Sequence, residues 1–174
     1  MSLLARWLTV RTSGLVVCSI LAVSFALGSE APTVRVAPAD SVGPRTLEEQ
    51  TQKAVIRDYL QAWQTLHGAL EQNRVDLLDA EFVGSAREKL ADTIQDQVKL
   101  GIRTRYQDRS HDLQLVFYSP EGLSIQLLDT VEYDIQVVDH EKVLATQHVR
   151  ARYVAVLTPT EVRWKVRVFQ AGPE

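Results

Sequence analysis

Leu113-Gln114-Leu115-Val116-Phe117-Tyr118-Ser119-Pro120-Glu121-Gly122-Leu123-Ser124-Ile125-Gln126-Leu127-Leu128 is the stretch that decides the fold. Leu113, Leu115 and Phe117 alternate with Asp112, Gln114 and Val116, and Leu123, Ile125 and Leu127 alternate again beyond Ser119-Pro120-Glu121-Gly122. A period of two on either side of a Pro-Gly turn predicts two antiparallel strands. Downstream, Val131, Tyr133, Ile135 and Val137 extend the second strand. The Leu127-Leu128 and Asp129-Thr130 pairs interrupt it, and the expectation is a bulge that re-phases the strand there. Asp139-His140-Glu141-Lys142 reads as a turn, residues 143–157 as a third strand and Thr158-Pro159-Thr160 as the last turn. In the final strand Val162, Trp164, Val166 and Val168 are expected on one face, with Arg163, Lys165 and Arg167 on the other.

Upstream of Gly101 the period is near four. Val55, Ile56, Tyr59, Leu60, Trp63, Leu66 and Leu70 mark the apolar face of a long helix ending near Glu71 and Asn73. Thr46-Leu47-Glu48-Glu49 has the form of a capping box, as does Ser85-Ala86-Arg87-Glu88 at the start of a second helix bearing Leu90, Ile94 and Val98. Residues 75–82 between them read as a short helix or turn, and Gly101 suits a left-handed cap. Helices segregated before strands imply an α+β fold, with the helices packed on a curved four-stranded antiparallel sheet.

Three segments follow in the chain's organisation. Residues 1–28 carry Arg6 and Arg11 as their only charges, followed by an apolar run from Leu15 to Leu27 and small residues at Ser24, Ala26 and Gly28. This pattern is that of a cleaved signal peptide or an N-terminal membrane anchor. Residues 29–45 hold Pro32, Pro38 and Pro44 and are expected to be a Pro/Ala-rich linker. Residues 46–174 are long enough for one ordinary domain. The expected location is extracytoplasmic, periplasmic or secreted, with residues 14–28 holding the chain to the inner membrane if they stay attached. Cys18 is the only cysteine and lies in the first segment, so the domain has no disulfide and no thiolate. Taking Arg6 and Arg11 from the 19 basic side chains leaves 17 against 22 acidic ones. A mildly acidic domain is poorly suited to nucleic acid.

Tyr59, Trp63 and His67 recur every four residues and form one column on the first helix. With Tyr133 and Tyr153 they are the candidates for lining a pocket between helix and sheet. Arg150 and Arg152, with Arg163, Lys165 and Arg167, are the candidates for an interaction surface, beside an acidic row of Glu132 and Asp134 that offers cross-strand pairing. No catalytic set is expected. An acid–base site would draw on Asp76, Asp79, Asp129, Glu132 or Asp134, but Glu132 and Asp134 share a polar face opposite Tyr133. No metal or cofactor is expected: His111 and Asp112, beside Asp108, are strand neighbours that point to opposite faces. Gly84-Ser85 lacks the strand–turn–helix surroundings of a nucleophile.

Ala62-Trp63-Gln64 and Ala69-Leu70 in the first helix, Val149-Arg150-Ala151-Arg152-Tyr153 in the third strand and Arg163-Trp164-Lys165-Val166 in the last resemble the NTF2-like, cone-shaped superfamily, together with the element order. The likeness is to its exported or membrane-tethered, non-catalytic branch. That branch includes chloroplast and cyanobacterial division proteins and periplasmic secretion components. The strand that many members carry between the first two helices is not evident. The resemblance implies binding or assembly in the cell envelope, through a protein partner or a second copy on the sheet face. A small apolar ligand in the cone, or an isomerase of the ketosteroid type, is the alternative it implies. The membrane would be met through the N-terminal segment if that is uncleaved.

Overall fold

A computed structural model describes residues 31–38 and 43–172. The signal-or-anchor reading of residues 1–28 therefore lies outside the described residues. The elements run β1 (Thr33–Val36), α1 (Glu49–Gln72), a 3-10 helix (Val75–Ala80), α2 (Gly84–Leu100), β2 (Ile102–Tyr118), β3 (Ile125–Asp139), β4 (Lys142–Pro159) and β5 (Trp164–Ala171). The helices pack on one mixed sheet in the order β1-β2-β3-β4-β5. The architecture is the α+β one that the change of period predicts.

One strand more than expected is present. Thr33–Val36, inside the expected linker of residues 29–45, pairs parallel to β2, with Val34 opposite His111 and Ala37 N–H donating to the Leu113 carbonyl at 2.8 Å. Its four side chains are all exposed, so no apolar pattern marks it; main-chain bonds and the exposed Arg35–Asp112 ion pair at 3.5 Å hold it. The segment between the helices also touches the sheet. Phe82 forms an isolated parallel bridge to Val166, with Val83 N–H bonded to the Val166 carbonyl and Val166 N–H to that of Glu81.

Neither capping box forms. Helix α1 starts at Glu49 after Glu48, and α2 at Gly84 after Val83, without a side-chain cap at either. Ser85 instead donates to the Arg167 carbonyl at 3.1 Å, tying α2 to β5. The C-termini follow expectation, with Asn73 and Gly101 in left-handed conformations. There a polar clamp joins both helices to the sheet. Gln97 donates to the Leu70 carbonyl and to Asn73, Asn73 donates to the Ile102 carbonyl, and Thr104 donates to Gln97.

The antiparallel register breaks at Arg109 and Val116 in β2, at Leu144 in β4 and at Arg167 in β5, each an extra residue against its partner strand. Such bulges bend and twist a long sheet. They also reverse the facing of everything beyond them. Past Val116, Tyr118 turns in and Phe117 is left 39% exposed. Past Arg167, Phe169 rather than Val168 joins the core, opposite the buried Ala155. Val162, before β5, is exposed. The bulge expected at Leu127–Thr130 does not exist. Ile125, Leu127, Asp129, Val131 and Tyr133 alternate without interruption on the buried face of β3.

Candidate functional site

The concave side of the sheet and the inner face of α1 enclose a chamber of aromatic and titratable side chains. Trp63 stands at its centre. Its ring meets Tyr153, Phe169, His67 and His111 edge-on, with centroids 5.2, 5.3, 5.5 and 5.5 Å away, and Tyr133 tilted at 6.2 Å. Such geometries set positive ring edges against negative faces. Tyr59, one turn before Trp63, is fully buried, and His67, one turn after it, stacks on Tyr106 at 4.9 Å. The hydroxyls of Tyr133 and Tyr153 lie 3.2 Å apart. All five pocket candidates thus share this chamber.

Five of its members are not among those candidates: Phe169, Asp129, His111, Asp108 and Tyr106. Asp129 Oδ2 accepts from the Tyr59 hydroxyl at 3.0 Å and lies 2.7 Å from His111 Nδ1. His111 Nε2 is 3.5 Å from Asp108 Oδ2, and His67 Nε2 is 3.5 Å from Asp108 Oδ1. The chain of groups runs inward from His67 and Asp108, which are partly exposed, to His111 and Asp129, which are closed to solvent. The Arg109 bulge makes this possible. In a regular strand Asp108 and His111 would face opposite ways. With Arg109 extra, Asp108 pairs with Tyr133 and His111 with Val131, two inward positions of β3. His111 and Asp112 do point to opposite faces, His111 buried and Asp112 partly exposed.

The environment separates the two histidines. Burial alone would depress the His111 pKa, but its bonds to Asp108 and Asp129 outweigh burial and push it up to about 9. His111 is therefore an imidazolium at neutral pH, giving a buried ion pair. Burial dominates at His67 and holds its pKa below the usual value, against the pull of Asp108. Burial and the Asp129 charge raise the Tyr59 phenol well above its ordinary range, and burial chiefly raises Tyr106 to about 12. Both phenols stay protonated. Trp63 Nε1, His67 Nε2, Asp108 Oδ1 and Asp129 Oδ1 are buried without a hydrogen-bond partner among the described residues.

No protein-family model matches the chain, and no curated protein matches it in sequence. Solved structures do match in shape. The intermembrane-space region of the chloroplast protein ARC6 superposes with a TM-score of 0.59 at 14% identity, over 75% of this chain and 100% of that one. A scytalone dehydratase candidate from Novosphingobium aromaticivorans gives 0.50 at 13%, over 72% and 89%. An NTF2-like dehydratase candidate from Streptomyces avermitilis gives 0.45 at 12%, over 70% and 98%. The fold is the NTF2-like cone. Identities this low speak for the fold alone.

Outside the NTF2-like cone, the basic candidates separate into two groups. Arg163 forms an ion pair with the buried Glu81, and Lys165 donates to the Asp79 carbonyl at 2.8 Å, so both fasten β5 to the 3-10 helix region. Arg167 is the bulge residue whose carbonyl receives Ser85. Arg150 and Arg152 lie on the adjoining strand β4, opposite Glu132 and Thr130, and Arg150 approaches Glu132 at 3.5 Å. With Ala151 and Thr130 they line a cavity of about 340 Å³. The five residues do not make one stripe.

Proposed function

We propose that this chain is an exported or membrane-tethered NTF2-like domain that acts by binding and assembly in the cell envelope. The central position of Trp63 carries the reading. Five rings of His67, His111, Tyr133, Tyr153 and Phe169 surround it within the cone, which is where an enzyme of this fold would need its substrate. The shape match to the ARC6 region, a domain of an intermembrane space, supports an extracytoplasmic setting, as do Arg6, Arg11 and the apolar run after them. The partner surface is the sheet, at Arg150 and Arg152; Arg163 and Lys165 are already engaged within the domain.

The test has two parts. The native N-terminus is sequenced, and the full chain is exposed to protease added outside the cytoplasmic membrane. Cleavage of the domain under those conditions, with a crosslinked partner or dimer lost on Arg150→Glu/Arg152→Glu, is the expected result. A protected, cytoplasmic domain would overturn the reading.

A second reading, a small-molecule pocket or an isomerase or lyase of the same fold, is favoured by one observation. Four unpartnered polar atoms of Trp63, His67, Asp108 and Asp129 converge in the same chamber as a charged His111. A side-chain movement of Trp63 would have to admit the ligand. Turnover or saturable binding of a small hydroxylated aromatic, abolished by Asp129→Asn, would establish that reading.

A further inference from the structure

Strand β4 is far longer than its partner β5. The last β5 contacts on it are Tyr153 opposite Ala171 and the Gly172 N–H donating to the Arg152 carbonyl at 2.7 Å. Residues 142–151 pair with β3 on one side, and among the described residues no strand covers the other. In a β-strand the N–H and C=O of one residue point the same way and alternate between neighbours. Since the Arg152 carbonyl faces the β5 side, the main-chain groups of Thr146, His148 and Arg150 face the open edge. The bulge at Leu144 ends this regular edge on one side and β5 ends it on the other. Open edges of this kind accept a further strand.

The charged side chains along the edge, Arg150 and Arg152, have one sign. His148, Arg150 and Arg152 alternate on the outer face, and all three are exposed. The acids of that face are committed elsewhere or outnumbered. Asp134 is held by Arg109 at 2.6 and 3.0 Å and by His148 at 3.0 Å, and Asp112 by Arg35 at 3.5 Å. Glu132 faces Arg150 alone, and Arg152, opposite the neutral Thr130, has no carboxylate within ion-pair distance among the described residues. The 340 Å³ cavity opens at this point, lined by Thr130, Arg150, Ala151 and Arg152.

We infer that the open edge of β4 at residues 145–151 binds an extended acidic peptide segment of a partner protein by strand addition, with one of its carboxylates seated between Arg150 and Arg152. The inference rests on the assembly reading and names the chemistry of the partner. Main-chain bonds to Thr146, His148 and Arg150 supply affinity, and the bases supply register. A second copy fits less well. Antiparallel self-pairing keeps both sets of Arg150 and Arg152 on one face, and like charges across a strand pair repel.

The experiment uses the full-length chain and a fluorescein-labelled peptide of alternating Glu and Val, about ten residues long, with an alternating Lys and Val peptide as control. Fluorescence anisotropy is expected to show binding of the acidic peptide only, weakening steeply with added salt. His148→Pro removes an edge N–H without breaking a main-chain bond to β3, as proline is tolerated where the N–H faces outward; it also loses the exposed side-chain bond to Asp134, which the control His148→Ala loses alone. The proline variant is expected to weaken binding at least about tenfold relative to His148→Ala, at the same melting temperature as that control. Arg152→Glu, which touches no internal ion pair, is expected to weaken it as much relative to the native chain.

Equal binding of both peptides, or binding insensitive to both substitutions, overturns the inference. So does a dimer in sedimentation that His148→Pro dissolves, which would assign the edge to self-pairing. No peptide binding, while the crosslinked partner is retained, overturns the edge and leaves the assembly reading standing. Loss of the crosslinked partner as well removes both.

Discussion

His111 Nδ1 lies 2.7 Å from Asp129 Oδ2, and both side chains are closed to solvent at the floor of the cone. A buried pair of this kind is costly to desolvate and is retained only with good geometry and added hydrogen bonds. Tyr59 supplies one to Asp129, and Asp108 faces the other side of the imidazole. Breaking the pair leaves a charge without its partner. Asp129→Ala is expected to cost about 3–5 kcal/mol in urea unfolding. His111→Leu combined with Asp129→Leu is expected to recover part of that loss, with a coupling energy above about 1 kcal/mol. Additive costs in that cycle would show that the two groups act independently.

The same pair makes stability depend on pH. The His111 pKa is about 9 in the fold, against roughly 6.5 in an unfolded chain. Folding therefore favours the protonated form. The stabilisation is complete below about pH 6.5 and is lost as pH rises through about 9, with an upper bound of about 3 kcal/mol. His67 has the opposite sign. Its lowered pKa gives a contribution present above about pH 6.5 and lost as pH falls. Chemical denaturation from pH 6.5 to 9 should show a falling midpoint in the native chain and a flatter one in His111→Gln. A flat profile in the native chain would mean that His111 is neutral in the fold.

Trp63 is expected to be the largest single contributor to the cone. Trp63→Ala removes an indole from the centre of five aromatic rings, and such truncations cost about 3–5 kcal/mol. Free indole should bind the variant and restore part of its melting temperature, because an apolar cavity takes up a ligand of matching shape. A variant as stable as the parent would show that the cone is open around Trp63. That outcome would move the balance towards the small-ligand reading.

Much of this was legible in the chain, and the illegible part has one physical origin. Helix α1 and the column of Tyr59, Trp63 and His67 follow from spacing alone, because a helix has a single period. Tyr133 and Tyr153 follow from alternation on β3 and β4. Asp129 stands in phase with Ile125, Leu127, Val131 and Tyr133, but an acid on an apolar face argues for a break in the strand unless its partner is known. Its partner His111 lies on β2, where the extra residue at Arg109 sets which side chains face inward. A bulge adds one residue without a compositional mark, so local alternation does not reveal it. The edge strand β1 is hidden for a related reason. A strand whose side chains are all exposed carries no hydrophobic pattern.

Asp58 is a structural carboxylate on α1 that reaches the far end of the chain. Its Oδ2 accepts the Trp164 N–H at 2.9 Å where β5 begins, and Oδ1 receives Arg57. A buried acceptor serving a main-chain donor leaves that donor stranded when removed, at a cost of about 1–3 kcal/mol. Asp58→Ala should show this loss together with faster amide exchange at Trp164 and Val166, and Asp58→Asn should keep most of the protection. Unchanged exchange at Trp164 in the alanine variant would mean that the turn before β5 is held by Thr160 and Arg163 alone, through the Thr160 N–H and hydroxyl bonds to the Arg163 carbonyl.

Strand β1 sits outside the sequence signature of the domain yet runs beside its most charged core position, with Val34 opposite His111. Its exposed side chains bury little apolar surface, so its contribution comes from main-chain hydrogen bonds such as that from Ala37 to Leu113. Each such bond is worth about 1 kcal/mol net. A chain beginning at residue 39 is therefore expected to fold with an unchanged circular dichroism spectrum, at a cost of roughly 2 kcal/mol. Amide exchange should rise across residues 110–113 and stay unchanged in β4. If the shortened chain failed to fold, β1 would belong to the folding core, and residues 29–45 would have no linker role at all. If exchange at residues 110–113 did not change, the parallel pairing would be too weak to persist in solution, and the sheet would revert to the four strands that the hairpin pattern implies.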